Sequence, residues 1–199
     1  IEYFHKEKFF DVIKKINGSN ILVDKVSCSI YDESLIRTRF NLYFDNDPCY
    51  RLKSIKNKIE IKNTKKIHLY DGLAMTKFLY YLKNKKLRFD EIKLEKKLEE
   101  LRKRNKAYLF PSFNTISGSG PNSAIIHYKA SKISNRKIKR NDIYLCDSGG
   151  QYNYGTTDVT RTICFSKQSL KIKNIFTKVL KGHIACLLYT SDAADDSQC

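Results

Sequence analysis

Apolar residues recur at steps of three and four in three long segments of the chain, which is the period of an amphipathic helix. The segments cover residues 59–82, 89–104 and 171–185. Asp90 stands at the start of the second segment, where an aspartate side chain can accept a hydrogen bond from the first helical turn. The pattern predicts three helices, the second capped by Asp90 and carrying a solvated face of alternating glutamate and lysine.

The N-terminal part of the chain carries shorter patterns that mix helix and strand. Residues 6–16 repeat apolar positions at helical spacing, and residues 20–26 form a short apolar run typical of a strand. A second helical pattern covers residues 35–43 and is followed by a proline-containing turn. These patterns predict an α/β unit over residues 1–50.

The composition of the chain changes after residue 107. Residues 108–113 are apolar and β-like, residues 114–123 form a Gly/Ser/Asn loop, and residues 124–128 are again apolar. A strand is predicted over residues 124–128, and its alternation separates His127 from its neighbours Ile126 and Tyr128. A lone histidine on a strand is usually structural, so the spacing alone gives His127 no role.

Two further β-like runs, residues 143–146 and 159–165, are separated by a glycine-rich segment, which is typical of a β-hairpin or a short meander. The first run leads into Asp147, and the second begins immediately after Asp158. If the runs pair antiparallel, both carboxylates lie near the same end of the sheet. Two carboxylates that close repel each other unless one is protonated or a cation lies between them.

This carboxylate pair allows two interpretations. An aspartate in a tight turn often hydrogen-bonds to its own backbone, and the Asp147-Ser-Gly-Gly turn fits that structural role. The functional interpretation is a divalent metal site, in which Thr157 and Thr160 are candidates to orient the carboxylates. The spacing alone leaves both interpretations open.

The composition is that of a globular protein, with 41% hydrophobic and 12% aromatic residues. No apolar run is long enough for a membrane span, and the N-terminus shows no signal-peptide pattern.

The net charge of +17 comes from lysines scattered through every segment. A nucleic-acid groove needs its basic residues on one face, so no specific nucleic-acid partner is expected. The cysteines lack C-x-x-C spacing, which favours a reducing, cytoplasmic compartment.

Two segments of the sequence closely resemble one peptidase family. The run Asp147-Ser-Gly-Gly-Gln-Tyr-Asn-Tyr-Gly-Thr-Thr-Asp158-Val-Thr-Arg-Thr162 resembles the D-S-G-x-Y-x-x-G-T-T-D-x-T-R-T segment of Xaa-Pro aminopeptidases. These are the aminopeptidase P branch of the pita-bread metallopeptidases, family M24. Residues 110–128 resemble the same family in the right order and at the right distance.

The resemblance implies a fold and a domain organisation. The fold is the α/β (α+β) pita-bread, in which helices pack on a curved, mostly antiparallel sheet. On this basis residues 1–50 are the end of a preceding non-catalytic α/β domain, and residues 51–185 are the first half of the catalytic domain. Residues 186–199 are acidic and rich in small residues, and are expected to be a foreign or misread tail. The chain is therefore expected to be a fragment.

The resemblance also implies a site. Family members hold two divalent metal ions, usually manganese, through Asp, Asp, His, Glu and Glu side chains. Asp147 and Asp158 match the first two ligands, of which the first binds one metal with both oxygens and the second bridges the pair. His127 matches an active-site histidine that is not a ligand but hydrogen-bonds the substrate near the scissile bond. The other three ligands have no match, because the glutamates within residues 91–100 lie upstream on a helix expected to be exposed.

The implied enzyme is a dinuclear aminopeptidase that releases the N-terminal residue before a penultimate proline. Its expected partners are peptides with proline in second position, and the chain alone, with an incomplete metal site, is expected to be inactive. Family members often form homodimers through the catalytic domain. Two alternatives stay open: a metal-free pita-bread relative that binds protein or nucleic acid, and another peptidase of the fold, a prolidase or a methionine aminopeptidase. The presence of Asp147 and Asp158 speaks against the metal-free alternative.

Overall fold

The first unit of the chain, Ile1–Lys58, is built around two parallel strands joined by a helix. The computed structural model of the protein describes residues 3–84 and 89–190. The elements of this unit are a 3₁₀ helix (Lys6–Lys8), α1 (Phe9–Lys15), β1 (Asn20–Asp24), α2 (Ile30–Arg37), β2 (Asn41–Asp45) and α3 (Pro48–Ser54). Its core consists of Val23, Ile36 and Phe40. The unit therefore mixes helix and strand, as the N-terminal patterns predict.

The helix predicted for residues 35–43 is wrong beyond residue 37. Helix α2 ends at Arg37, and Leu42 lies in β2, where it pairs with Ile21 of β1. Parallel strands need a crossover between them, and α2 supplies it, so the chain must leave the helix before β2 begins. Phe40, 5% exposed, packs into the core at this point.

Within the described residues, the second unit, Ile59–Cys199, contains three long helices and two small sheets. The helices are α4 (Lys58–Asn84), α5 (Glu91–Lys103) and α6 (Leu170–Thr190). The strands are β3 (Tyr108–Pro111), β4 (Ile116–Ser119), β5 (Ile143–Ser148), β6 (Gly150–Tyr152), β7 (Gly155–Thr156) and β8 (Val159–Cys164). The three helices predicted from apolar spacing are confirmed.

The strands of the second unit form sheets with the orders β3-β6-β7 and β4-β5-β8, and every neighbouring pair is antiparallel. The register between β5 and β8 runs from Ile143↔Cys164 to Ser148↔Val159. The antiparallel pairing of the two β-like runs is therefore confirmed, with the small β6–β7 hairpin inserted between them.

One buried apolar cluster joins helices α4 and α5 to strand β5. Phe78 of α4, Leu94 of α5 and Tyr144 of β5 are each 0% exposed, and Leu98 is 1% exposed. The burial of large apolar side chains is the dominant favourable term in folding. This cluster therefore fixes β5, the strand that carries Asp147, against the two helices.

Helix α6 presents apolar residues to solvent. Ile175, Phe176 and Val179 are 53%, 61% and 67% exposed. Exposed apolar surface of this kind is typical of an interaction surface. None of the described helices, α6 included, is long and apolar enough to cross a membrane.

The strand predicted for residues 124–128 is wrong. Gly120–Ala124 forms a 3₁₀ helix instead, and a turn follows it. Pro121 suits the first turn of a helix because it has no N–H to leave unpaired. The backbone of Asn122 packs so closely on Gly118 that a Cβ there would lie 2.9 Å from the Asn122 carbonyl oxygen. Tertiary contacts therefore override the local β-preference of this apolar run.

Asp90 caps helix α5 as predicted, since its carboxylate accepts a 2.8 Å hydrogen bond from the Lys93 N–H. Burial acts to raise the pKa of Asp90, but hydrogen bonds from Lys93 and Asn135 outweigh it and bring the pKa below its ordinary value of 3.8. We expect Asp90→Ala to lower the free energy of unfolding at pH 7 by about 1 kcal/mol, because the cap is lost.

The same cap predicts a pH dependence. A carboxylate whose pKa is lowered by folding stabilises the protein above its unfolded pKa and loses that contribution as the pH falls through its folded pKa. The difference between wild type and Asp90→Ala, measured by urea unfolding, should therefore shrink as the pH falls below 3.8. Asp90→Asn keeps the capping oxygen, so it should lower the free energy of unfolding at pH 7 by less than Asp90→Ala does. An equal loss for both variants would contradict the capping role.

Candidate active site

The pairing of β5 with β8 brings the two predicted metal-binding carboxylates to one end of the same sheet. Asp147 lies opposite Thr160, and Asp158 directly precedes Val159, which pairs with Ser148. Alternate residues along a strand share a face, so Asp158 lies on the side of Thr160 and Asp147. The expectation that both carboxylates lie near one end of the sheet is confirmed by this register.

An open cleft of about 430 Å³ lies at this end of the sheet. Its lining residues are Phe113, Asn114, Ile116, His127, Lys129, Asp147 and Asp158. The three site residues predicted from the sequence, His127 and the two aspartates, therefore line one cleft. Asp158 and His127 are exposed and Asp147 is half-buried, so all three are accessible to a ligand.

The two threonines that were candidates to orient the carboxylates behave differently. Thr160 Oγ1 donates a 2.8 Å hydrogen bond to Asp147 Oδ1. Thr157 is 2% exposed, and its Oγ1 accepts a 3.0 Å hydrogen bond from the Gly150 N–H. Thr160 thus contacts the carboxylate of Asp147, whereas Thr157 holds the backbone of the β6–β7 hairpin.

His127 reaches the cleft from a turn and not from a strand. Its backbone φ is 54°, in the left-handed region that non-glycine residues seldom occupy. Such a conformation costs on the order of 1–3 kcal/mol and persists only where the surrounding structure holds it. The next residue, Tyr128, is 6% exposed, so its side chain enters the protein interior while His127 stays at the surface.

The buried carboxylate of Glu91 accepts hydrogen bonds from residues on both sides of this turn. The sequence pattern did not predict its burial. Glu91 is 0% exposed, although the glutamates of α5 were expected on a solvated face. Its Oε1 accepts a 2.8 Å hydrogen bond from the Ser119 N–H, and its Oε2 accepts hydrogen bonds from Tyr128 OH at 2.8 Å and the Arg136 N–H at 2.9 Å. Asn122 Nδ2 donates to both oxygens at 3.1 Å.

A second buried polar group supports the strand that ends at the site. Arg102 and Asp71 form a bidentate ion pair with N–O distances of 2.7 and 3.0 Å. The two residues are only 2% and 3% exposed. Arg102 Nη2 also donates a 3.1 Å hydrogen bond to the hydroxyl of Ser148, the neighbour of Asp147. Tyr152 OH donates to Asp71 Oδ1 at 2.7 Å, and burial, with this hydrogen bond next, raises the pKa of Tyr152.

Gly149 allows a close backbone approach beside the cleft. A Cβ at this position would overlap the Thr157 carbonyl oxygen and Ser112 Oγ, which already donates a 2.9 Å hydrogen bond to that oxygen. We expect Gly149→Ala to push these groups apart and to lower the free energy of unfolding by about 1–3 kcal/mol. Gly72→Ala on α4 is the control, because its Cβ would meet nothing within 4 Å. Alanine favours a helix over glycine, so denaturant unfolding should show the control unchanged or stabilised; equal losses would contradict the close approach.

The side chains of the cleft could provide only some of the ligands that a divalent cation needs. Two carboxylates on one face of a sheet provide the oxygen ligands that hard divalent ions prefer. Within residues 3–84 and 89–190, however, no group of three or more His, Cys, Asp or Glu side chains is arranged to hold a metal ion. Asp147 and Asp158 could therefore supply two of the ligands of a metal ion, which is fewer than a divalent ion takes.

The sequence profile of metallopeptidase family M24 matches residues 62–191, well over half of the chain. The chain belongs to metallopeptidase family M24. The matched range spans His127, Asp147 and Asp158 and extends into residues 186–199, for which a foreign tail was predicted. The proposed limits of the domains stay a prediction.

Two proteins similar to this M24 chain are described as aminopeptidases that act on Xaa-Pro or X-prolyl substrates. A probable Xaa-Pro aminopeptidase P from Podospora anserina is 44% identical over 137 residues, which are 67% of this chain and 20% of the relative. The M24 chain thus spans about a fifth of the length of this relative. An X-prolyl aminopeptidase from Caenorhabditis elegans, described as a cytosolic enzyme with a di-nuclear active site, is 36% identical with a TM-score of 0.62, covering 66% of this chain and 22% of that one.

The fold of the M24 chain is shared more widely. An Xaa-Pro dipeptidase from Bacillus anthracis matches it with a TM-score of 0.72 over 89% of this chain and 49% of that one. At 23% identity this likeness shows the fold alone. The pita-bread fold expected from the sequence is confirmed.

Proposed function

We propose that this chain forms part of a metal-dependent Xaa-Pro aminopeptidase, which releases the N-terminal residue of a peptide before a penultimate proline. The observation that carries the proposal is the single cleft lined by His127, Asp147 and Asp158. Similarity to proteins named Xaa-Pro aminopeptidase supports the substrate class. Because the chain spans about a fifth of such a relative, the activity is proposed for the complete protein, and the chain alone is expected to be inactive.

Asp147 and Asp158 are the residues proposed to hold the metal. Thr160 orients the first carboxylate through its hydrogen bond to Asp147 Oδ1. A pair of divalent ions, expected to be manganese, would supply Lewis acidity and an activated hydroxide when bound. We place the remaining His, Glu and Glu ligands in parts of the protein that this chain does not include.

His127 is proposed to bind the substrate and not the metal. Its exposed imidazole can donate a hydrogen bond to the oxygen of the scissile carbonyl, where negative charge develops during hydrolysis. Phe113 and Ile116 add apolar surface to the same cleft, which suits the ring of a proline. The cleft thus combines an apolar wall for proline with polar groups at the bond to be cleaved.

The cellular location and the oligomeric state of the protein are proposed from its relatives. The enzyme from Caenorhabditis elegans is described as cytosolic, which supports a cytoplasmic location for this protein. A homodimer is proposed from the family resemblance alone.

An assay of the complete protein on Arg-Pro-Pro, with and without manganese, tests the function. We expect release of arginine that requires manganese, and none from Arg-Ala-Ala, because the matched peptide lacks the proline. Cleavage of the dipeptide Arg-Pro in place of the tripeptide would favour a prolidase. The absence of any metal-dependent cleavage would overturn the proposal in favour of a binding role.

A further inference from the structure

The segment that carries His127 is held from below by one buried carboxylate. Glu91 is 0% exposed, and the groups that donate hydrogen bonds to it come from both sides of the turn. Ser119 precedes the turn, with an N–O distance of 2.8 Å, and Arg136 follows it, at 2.9 Å. Glu91 also donates its own N–H to the Arg136 carbonyl oxygen at 3.1 Å. One side chain on α5 therefore ties together the two ends of the segment between these residues.

Tyr128 connects this carboxylate to the histidine. Its hydroxyl donates to Glu91 Oε2 at 2.8 Å and also lies 3.1 Å from the carbonyl oxygen of Ser134. Burial, with contributions from Glu91, raises the pKa of Tyr128, so the phenol keeps the proton it donates. The neighbouring residue is His127, whose φ of 54° is held in a sparsely populated region. With the Tyr128 side chain fixed inside the protein, the backbone has little freedom to move the imidazole.

We propose that Glu91 and Tyr128 are positioning residues for His127, which hold the turn in the one conformation that presents the imidazole to the cleft. The expected effect on catalysis rests on the proposed function. The structural link between Glu91, Tyr128 and the turn does not depend on that function. Neither residue lines the cleft, so neither is expected to touch the substrate. Both act through the backbone of the turn.

Tyr128→Phe tests this linkage with little risk to the fold, because only one oxygen atom is removed. Glu91→Gln is a less suitable variant, because its amide would face donors such as the Ser119 and Arg136 N–H groups and disturb the whole segment. Tyr144→Phe is the matched control. Tyr144 is 0% exposed and its hydroxyl makes a 2.8 Å hydrogen bond with Ser117 Oγ. Ser117 Oγ donates to the backbone carbonyl of Glu91 at 2.8 Å, so this variant also loses one buried hydrogen bond beside Glu91, but it leaves the hydrogen bonds of the Glu91 carboxylate in place.

Hydrogen–deuterium exchange in the complete protein tests the structural half of the proposal. We expect amides of residues 125–130 to exchange at least about tenfold faster in Tyr128→Phe than in wild type, because the turn opens locally. Tyr144→Phe should leave exchange in these residues within about threefold of wild type. Equal exchange rates in wild type and Tyr128→Phe would overturn the proposal, whether or not the protein is a peptidase.

Kinetics of the complete protein on Arg-Pro-Pro test the catalytic half. Misplacing a catalytic group by about 1 Å can cost about 10²-fold in rate, so we expect Tyr128→Phe to lower kcat by that order while KM and manganese affinity change little. Tyr144→Phe should keep kcat within about threefold, although it loses a comparable buried hydrogen bond. If both variants lower kcat equally, the role of Tyr128 is structural only and the proposal is wrong. An inactive wild type would instead refute the proposed function, and the exchange measurement would still decide the linkage.

Discussion

Asp147→Asn and Asp158→Asn in the complete protein are each expected to abolish metal-dependent cleavage of Xaa-Pro peptides while leaving the fold intact. An asparagine keeps the size of the side chain but removes the negative charge that a divalent ion requires. Both aspartates line the cleft, and Asp158 is exposed there. The loss of either carboxylate should therefore weaken metal binding without leaving a buried group unpaired.

The size of this effect separates a metal-binding carboxylate from a turn-forming one. A tenfold loss of rate corresponds to about 1.4 kcal/mol of barrier, and the loss of a metal ligand should cost more than that. Asp45→Asn is the control, because Asp45 is an exposed aspartate at the end of β2, outside the cleft. Steady-state rates with added manganese measure the effect. Activity of Asp147→Asn or Asp158→Asn within about tenfold of wild type would rule out the proposed role.

The largest expected effect on stability comes from breaking the buried ion pair behind the site. Arg102→Leu would leave the Asp71 carboxylate, 3% exposed, without its cation. Breaking a buried pair in this way typically costs about 3–5 kcal/mol, because the remaining charge is desolvated and unpaired. The variant would also remove the hydrogen bond to Ser148 that supports the end of β5.

The neighbouring lysine provides the matched control for this pair. Lys103 lies next to Arg102 on α5 and pairs with Glu99 at 2.8 Å, with the lysine side chain 61% exposed. Exposed ion pairs contribute little, so Lys103→Ala should change the free energy of unfolding by less than about 1 kcal/mol. Denaturant unfolding of both variants measures the difference. Similar small losses for Arg102→Leu and Lys103→Ala would contradict the importance of the buried pair.

The parts of the fold that local patterns could predict are those in which local and tertiary preferences agree. The β5–β8 pairing was predictable because two β-like runs flank a glycine-rich segment, and the register that brings Asp147 and Asp158 together follows from it. The helices α4, α5 and α6 followed from apolar spacing. The site residues themselves came from a family resemblance, since spacing alone left a turn-forming role open.

The errors arose where long-range contacts override local preference. The apolar run containing Ile125 and Ile126 favours a strand, yet these side chains are 52% and 85% exposed in a turn. The conformation there is set by hydrogen bonds between residues far apart in sequence, such as Tyr128 with Glu91. No local pattern contains that information.

The sequence does contain a signal that Glu91 and Asp71 are buried. Glu91 lies at helical spacing before Leu94 and Leu98, and thus on the apolar face of α5. Asp71 likewise falls between Ile67 and Ala74 on the buried face of α4. A charged residue inside an apolar stripe must find a partner, because an unpaired buried charge is costly. The partner itself could be identified only from the structure.

The most direct test of the central claim is to locate the metal by anomalous X-ray scattering from crystals of the complete protein grown with manganese. We predict anomalous peaks at the end of β5, with carboxylate oxygens of both Asp147 and Asp158 within coordination distance and His127 facing the same cleft but not bound to the metal. Manganese bound elsewhere, with this pair of aspartates making no contact to it, would contradict the account.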